Sequence, residues 1–371
     1  MASMDNDARF MALALALGRR GLGQTWPNPS VGAVVVRQEG DVPIVVGRGV
    51  TCAGGRPHAE TEALARAGSA ALGSTLYVTL EPCSHHGKTP PCADAIVQAG
   101  VARVVSALED PNPEVAGRGH AKLRAAGIAV DVGVGAEEAR RTHAGHIRRV
   151  VDGRPHVTLK LAVSADGKAG LAGRRPTTIT GEAAHARVHL MRATHDAILV
   201  GIGTVIADDS LLTCRLPGMK ARSPIRVVLD AGLRTPAASR LARTARELPL
   251  WIITEAGAPA AREEALRALG AEVLRVEGES GILDLAAALR ALATRGITRL
   301  MVEGGPTLAA ALVKKNLIDA AVLFCSSNQI GPDGIDALEG LPLTALTHSP
   351  NLQRVATDEA GADRIEMFER S

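Results

Sequence analysis

The chain has 371 residues, of which 46% are hydrophobic and 22% are charged, and its formal net charge is only +3. This length exceeds that of a typical single domain, so two domains are expected, and the small net charge gives no support to nucleic-acid binding. No apolar run approaches the roughly 20 residues that span a bilayer, and the N-terminus lacks a secretory signal pattern. The five cysteines are an odd number and widely scattered, which favours a reducing compartment, the cytoplasm, over a disulfide framework.

The first part of the chain alternates helix and strand signals. A helix capped by Asp5 or Asn6 is predicted to run toward Gly18. The predicted elements that follow are strands at 31–36 and 44–46, a helix at 57–67, a strand at 75–80, a helix at 92–98, a strand at 101–107, a helix at 119–126 and a strand at 128–134. This alternation predicts an α/β sandwich with a largely parallel sheet.

A domain boundary is predicted near residues 146–155, where a basic segment ends in Asp-Gly and a proline and is typical of a linker. The predicted domains are therefore 1–150 and 151–371. The second begins with a strand at 156–163 and a turn at 164–167. Its other predicted elements are helices at 184–193, 260–269 and 284–293, and strands at 197–200, 225–230, 250–254, 272–276 and 299–302. This order indicates a second α/β domain.

The strongest chemical signal is a His-x-Glu motif at His58 and Glu60, followed by Cys83 and Cys92. Imidazole and thiolates are good zinc ligands, and three protein ligands leave a fourth position for a water, whose pKa zinc lowers. Glu60, near a predicted helix start, can face this water and shuttle protons without binding the metal. Zinc nucleobase deaminases use this layout, although here eight residues rather than two separate the cysteines.

Several alternatives stay open on these residues alone. A structural zinc module in a binding protein would have four protein ligands and no use for Glu60. A tRNA or nucleoside deaminase would be expected to show a basic face or the two-residue cysteine spacing. The remaining cysteines, Cys52, Cys214 and Cys325, are each isolated in the sequence and are predicted to be ordinary core or surface thiols.

Three strings carry a family resemblance: EPCSHHGKTPPCAD at 81–94, PNPSVG at 27–32 and DPNP at 110–113. The chain resembles the bifunctional riboflavin-biosynthesis deaminase–reductases along its whole length. The resemblance implies a cytidine-deaminase-like α/β/α sandwich followed by a dihydrofolate-reductase-like α/β domain. It also implies that Asn28 binds the substrate's pyrimidine and that His85 and Lys88 contact its ribose-phosphate. Thr51 stands where the family often has a substrate-contacting histidine.

Three further strings resemble the reductase half of that family: LKLAVSADGK at 159–168, DAILVGIGTVIADD at 196–209 and VEGGPTLA at 302–309. The last is typical of a strand, a glycine turn and a helix that opens at Pro306, whose free N–H groups can bind phosphate. The resemblance implies an NADPH site formed by Ala162, Thr204, Asp208, Gly305, Pro306, Thr307, Leu308, Ala309, Ala310 and Ala311. It implies substrate contacts by Lys160, Arg192, Leu212, Arg215 and Glu303, with the two arginines as phosphate clamps.

The reductase half departs from the family pattern at three positions. Pro176 replaces a serine, Thr178 replaces a tryptophan that could stack on the cofactor, and Ala231 replaces a serine. The predicted function is hydrolytic deamination of 2,5-diamino-6-(5-phosphoribosylamino)pyrimidin-4(3H)-one with one zinc ion per chain, followed by NADPH-dependent reduction of the ribosyl side chain to ribityl. The alternative is a deaminase whose reductase-like domain has lost activity. The expected partner is this small-molecule substrate, with no nucleic acid or membrane, and homo-oligomerisation stays open.

Overall fold

The chain divides into two units, Met1–Gly153 and Arg154–Ser371, in a computed structural model that describes residues 2–85, 90–174, 177–279 and 281–371. The segment predicted to be a linker is instead the end of a helix, Ala136–Asp152, that closes the first unit. The Asp-Gly signal marks the C-cap of this helix, because Gly153 adopts a φ of +65° that favours glycine. The linker prediction was therefore wrong, because the basic residues belong to a helix.

The first unit is built around a mixed five-stranded sheet of order β2-β1-β3-β4-β5. Its strands are β1 (Gly32–Glu39), β2 (Val42–Val50), β3 (Thr75–Val78), β4 (Arg103–Ser106) and β5 (Ala129–Val132). Its helices are α1 (Ala2–Arg20), α2 (Ala59–Ala67), α3 (Cys92–Gln98), α4 (Arg118–Ala125) and α5 (Ala136–Asp152). The cap predicted at Asp5 or Asn6 was wrong, because α1 already begins at Ala2.

The prediction of a largely parallel sheet was correct for only half of the strand pairs in this unit. Strand β1 pairs antiparallel with both β2 and β3, whereas β3, β4 and β5 are parallel. The two-residue turn between β1 and β2 forces an antiparallel hairpin, since a parallel pair needs a long crossover. Helix α1 packs with α5, and α2 packs with α3, which in turn packs with α4.

Two glycines of β2 set how closely helix α2 approaches the sheet. A Cβ atom on Gly49 would lie 2.1 Å from the Ala59 carbonyl oxygen, and one on Gly47 would lie 2.2 Å from that of Ala63. Only glycine allows this approach at both positions. The close contact fixes the first turn of α2, which carries the residues of the His-x-Glu motif.

The second unit contains a nine-stranded sheet of order β11-β10-β9-β8-β14-β6-β15-β18-β17. Two small sheets, β12-β13 and β16-β7, complete the unit. The strands of the unit are β6 (His156–Val163), β7 (Lys168–Gly170), β8 (Ala197–Gly201), β9 (Ile225–Leu229), β10 (Leu250–Glu255), β11 (Glu272–Val276), β12 (Gly278–Glu279), β13 (Ile282–Leu283), β14 (Arg299–Val302), β15 (Ala320–Cys325), β16 (Ile335–Asp336), β17 (Leu352–Ala360) and β18 (Asp363–Arg370). Its helices are α6 (Glu182–Ala193), α7 (Ile202–Asp208), α8 (Arg240–Arg243), α9 (Ala260–Ala268), α10 (Leu285–Thr294), α11 (Pro306–Lys314) and α12 (Thr344–Thr347).

Strands β8, β14 and β6 are parallel neighbours in this sheet. The carboxyl end of each of these strands lies in one of the three sequence strings that resemble a reductase. Because the carboxyl ends of parallel strands meet at one edge, the residues that follow these strands converge there, where ligands bind in open α/β sheets. No helix among the described residues is long and apolar enough to cross a bilayer.

Candidate active sites

Three side chains of the first unit converge as the sequence motif predicted. His58 is the N-cap of α2, Cys92 is the first residue of α3, and Cys83 lies in the loop that follows β3. The Nδ1 atom of His58 lies 3.3 Å from Cys92 Sγ and 3.7 Å from Cys83 Sγ. All three potential ligand atoms lie within 4.8 Å of one another.

This arrangement fits a zinc ion. Tetrahedral zinc with ordinary bond lengths places a nitrogen and a sulfur ligand about 3.5 Å apart, close to both observed separations. The backbone amide of Cys92 also donates a hydrogen bond to Cys83 Sγ at 3.3 Å. Hydrogen bonds from Cys92 lower the pKa of Cys83 to about 4, which favours the thiolate form that zinc binds, and the hydrogen bond to Cys83 raises the pKa of Cys92.

Glu60 lies in the first turn of α2 and is only 3% exposed. Burial, reinforced by the negative charge of Cys83, raises its pKa to about 7. A carboxyl group with this pKa can both accept and give up a proton near neutrality. Among the described residues, the group of ligand atoms at this site comprises His58, Cys83 and Cys92 without Glu60, which suits a residue that moves protons.

The residues predicted to bind the deaminase substrate have different outcomes. Asn28 lies beside the metal site, with its Nδ2 atom 3.4 Å from His58 Nε2 and donating to the Gly55 carbonyl at 2.8 Å. His85 is exposed in the loop that begins at Cys83, and Lys88 lies outside the described residues. Thr51 is buried, and its hydroxyl accepts a hydrogen bond from the backbone amide of Val31.

Glu81 is a site residue that sequence reasoning missed, although it directly precedes the Pro-Cys pair. Its buried carboxylate accepts four backbone N–H groups at 2.8 to 3.2 Å. The donors are the amides of Asp110, Gly117, Gly119 and His120. Glu81 therefore ties the loop before α4, and the first turn of that helix, to the loop that carries Cys83. Glu81 also lies near Glu109 and His120, but its two oxygens are already engaged.

The second unit holds two adjoining cavities, of about 390 and 300 Å³, at the edge where β6, β8 and β14 end. Both volumes fall within or near the usual size of a ligand site. Of the predicted cofactor residues, those in contact with one or both cavities are Ala162, Thr204, Asp208, Gly305, Pro306, Thr307 and Leu308. Ala309 and Ala310 are instead buried on the inner face of α11, and Ala311 does not line either cavity.

The smaller cavity has a charged inner wall. Arg192 binds Glu303 through two hydrogen bonds, of 2.6 and 2.8 Å, and donates a third, of 3.0 Å, to the Thr213 carbonyl. Burial alone would raise the pKa of Glu303, but the paired guanidinium of Arg192 holds this pKa below its usual value. Burial lowers the pKa of Lys160, which lines the same cavity. Leu212 also lines this cavity.

The guanidinium of Arg192, predicted to be a phosphate clamp, lines the smaller cavity and is paired with Glu303, and its role toward phosphate stays a prediction. The other predicted clamp, Arg215, is exposed and lines neither cavity. Its backbone amide donates to His189 Nδ1 at 3.3 Å. Thr178, which stands in place of the family's tryptophan, is exposed and lines the smaller cavity, whereas Pro176 lies outside the described residues.

Comparison with known proteins identifies both halves. The model of the cytidine and deoxycytidylate deaminase zinc-binding region matches residues 4–108, and the model of the RibD C-terminal domain matches residues 155–363. The riboflavin biosynthesis protein RibD of Aquifex aeolicus is 39% identical over 98% of both chains. The RibD protein of Escherichia coli is 40% identical over 90% of this chain and 92% of its own.

Solved structures agree over the whole length. Acinetobacter baumannii RibD superposes with a TM-score of 0.87 at 34% identity and covers 99% of each chain. A diaminohydroxyphosphoribosylaminopyrimidine deaminase/5-amino-6-(5-phosphoribosylamino)uracil reductase from Thermotoga maritima gives a TM-score of 0.84 at 32% identity over 100% of each chain. The chain thus belongs to the RibD family of bifunctional riboflavin-biosynthesis enzymes, in which a zinc-dependent, cytidine-deaminase-like domain precedes an NADPH-dependent, dihydrofolate-reductase-like domain.

Proposed function

We propose that the first domain hydrolytically deaminates 2,5-diamino-6-(5-phosphoribosylamino)pyrimidin-4(3H)-one and that the second then reduces the ribosyl side chain of the product to ribityl. The observation that carries this proposal is that a single chain presents both a His58–Cys83–Cys92 cluster beside the buried Glu60 and a separate cavity walled by Lys160 and Glu303. The name of the Thermotoga maritima relative describes both reactions.

For deamination, we assign proton transfer to Glu60. Zinc held by His58, Cys83 and Cys92 would supply an activated water at neutral pH. Glu60 accepts the proton of the attacking water and returns it to the departing amino group, so that water and an amino-bearing ring carbon yield a carbonyl and ammonia. Asn28, which lies against His58, would orient the pyrimidine ring.

For reduction, we assign cofactor binding to the turn at Gly305 and the N-terminus of α11, whose free N–H groups and glycine backbone suit phosphate. NADPH, when bound, supplies the hydride. Lys160 gives a proton to the sugar oxygen that is released when the ribosyl ring opens. The lowered pKa of Lys160 favours this transfer, and Arg192 keeps Glu303 ionised beside it.

The alternative, in which the second domain has lost reductase activity, receives no support from the described residues. Lys160, Arg192 and Glu303 line one cavity together with Gly305 and Pro306. A domain freed from this function would have no need to retain a largely buried ion pair beside a partly buried lysine.

The enzyme acts on a small molecule, and we place it in the cytoplasm with no nucleic-acid or membrane partner. The support is chemical: all five cysteines are free thiols, and two of them form the proposed zinc site, which requires reduced sulfur. The net charge of +3 offers no electrostatic basis for binding a polyanion.

Replacing a zinc-ligating cysteine tests the deaminase assignment. The variants Cys83→Ser and Cys92→Ser are expected to lose both zinc and ammonia release, because a serine hydroxyl is a far poorer zinc ligand than a thiolate. Cys52→Ser is the matched control, since Cys52 is a partly buried thiol that does not belong to the ligand cluster. Metal analysis and an ammonia assay on the three purified variants provide the readout. Full zinc occupancy in either ligand variant would show that the ligand set is wrong.

Restoring the family's tryptophan tests the cofactor assignment. Thr178→Trp is expected to tighten NADPH binding about five- to tenfold, because aromatic stacking is commonly worth roughly 1 kcal/mol beyond burial. Thr178 is exposed on the cavity wall, so the larger side chain has space. A fluorescence titration of NADPH against both forms measures the change. Equal or weaker binding by the tryptophan variant would show that this wall does not contact the cofactor, and failure of both forms to bind would favour a domain without reductase activity.

A further inference from the structure

The larger of the two adjoining cavities has a wall with almost no charge. Of the described residues that line it, Asp208 is the one with a formal charge, and no lysine, arginine or histidine is among them. A cofactor phosphate bound there would therefore be held by neutral donors, which are backbone N–H groups and the hydroxyls of Thr177, Thr204 and Thr307. A further carboxylate at the edge of this wall would act on such a phosphate without an opposing cation in the wall.

A carboxylate of this kind lies at the N-terminus of α11. The Thr307 hydroxyl donates a hydrogen bond to the carboxylate of Glu339, and the Glu339 backbone amide donates to the Pro306 carbonyl at 3.4 Å. Glu339 is exposed, whereas the two residues before it, Ala337 and Leu338, are buried and hold its backbone in place. Glu339 is thus fastened to the first turn of α11, and that turn lines the larger cavity.

The Glu339 carboxylate and a cofactor phosphate would use the same interactions. The positive end of a helix dipole stabilises a carboxylate at the N-terminus as it does a phosphate. A hydroxyl has a single proton, so Thr307 cannot donate to a phosphate oxygen while it donates to Glu339. When a phosphate binds, either this hydrogen bond breaks or two negative charges share one helix end.

We propose that Glu339 competes with the pyrophosphate of the dinucleotide for the N-terminus of α11 and thereby weakens cofactor binding. The inference rests on the proposed function, which puts the cofactor at the Gly305 turn and the start of α11. A glycine turn before a helix is the usual cradle for a pyrophosphate in dinucleotide-binding α/β folds. Because NADPH, NADP+ and NADH all contain this group, Glu339 weakens the binding of all three. A built-in competitor of this kind favours release of the oxidised cofactor after each hydride transfer.

The test is a fluorescence titration of NADPH, and separately of NADH, against the full chain and its variants. Glu339→Gln keeps the shape of the side chain and an oxygen that accepts from Thr307, but it removes the charge. We expect it to lower the dissociation constants of both cofactors about two- to fivefold at low ionic strength. Glu339→Lys should lower them further, because an ammonium attracts phosphate. In 1 M salt the differences should shrink, since the Debye length is then only about 3 Å.

Asp333→Asn is the matched control. Asp333 is an exposed carboxylate six residues before Glu339 and lines neither cavity, so its loss should leave both dissociation constants nearly unchanged. Thermal unfolding of each variant checks that the fold is intact.

Four results would overturn the proposal: unchanged or weaker binding by both Glu339 variants, tightening confined to NADPH, equal tightening in Asp333→Asn, or loss of the fold in Glu339→Gln, which would give Glu339 a structural role. Failure of the proposed function itself would look different. In that case the unmodified chain would bind neither cofactor, and both proposals would fall together.

Discussion

Glu60→Gln is expected to slow deamination by about 10²- to 10⁴-fold while zinc stays bound, the usual range for loss of a positioned general acid–base. Glutamine has nearly the shape of glutamate but cannot carry the proton. Glu60 is 3% exposed and lies outside the cluster of ligand atoms, so the substitution should leave the metal site intact. Burial raises the pKa of Glu60 to about 7. Replacing this carboxyl group by the neutral amide of glutamine therefore changes the charge at this position only slightly near neutral pH.

The measurement is metal analysis and ammonia release on the same preparation of Glu60→Gln. Reduction of the deaminated substrate serves as the internal control, since Glu60 belongs to the first unit and the reductase cavity to the second. Loss of zinc in this variant would make Glu60 a ligand. Near-normal ammonia release would assign proton transfer to another group.

Lys160→Met is expected to lower the rate of reduction by about 100-fold or more without harming the fold, because it removes the proposed proton donor. Methionine fills a similar volume, and a substitution that preserves volume usually costs less than about 1.5 kcal/mol of unfolding free energy. Glu303 keeps its two hydrogen bonds from Arg192, so no buried charge is left unpaired. Ammonia release by the first domain should be unchanged.

Three measurements on Lys160→Met separate these effects: NADPH oxidation, NADPH titration and thermal unfolding. Lys168→Met is the matched control, because the Lys168 ammonium lies 2.7 Å from Asp336 and Lys168 lines neither cavity. A stable variant that binds NADPH but does not oxidise it supports the assignment. A variant that reduces substrate at a normal rate contradicts it, and one that unfolds would point to a structural role for Lys160.

Much of the fold could be predicted from hydrophobic patterns. The strands at residues 156–163, 272–276 and 299–302 have the predicted bounds, and so does helix α3. Strand β17 was missed because most of its side chains are exposed and leave no apolar signal. The boundary near Gly153 was mistaken for a linker because a basic, solvated helix face and a glycine C-cap have the same composition as a loop.

The zinc ligands could be predicted because their chemistry is local to a short motif. The pairing of Arg192 with Glu303 could not, since the two residues lie 111 positions apart and only the sheet order brings them together. The same holds for Glu81, whose four amide partners lie 29 to 39 residues further along the chain, two in the loop before α4 and two in the first turn of that helix. A sequence pattern shows which groups are available, whereas packing decides which of them are already occupied.

The most direct test of the central claim is to follow ammonia release and NADPH oxidation together on the purified zinc-loaded chain, starting from the diaminopyrimidine substrate. We expect both signals in equal amounts, with ammonia appearing first. Glu60→Gln should suppress both signals from this substrate yet oxidise NADPH normally when given the deaminated compound. Oxidation of NADPH without ammonia release, or ammonia release without any NADPH oxidation, would contradict the account of one chain that carries out the two reactions in this order.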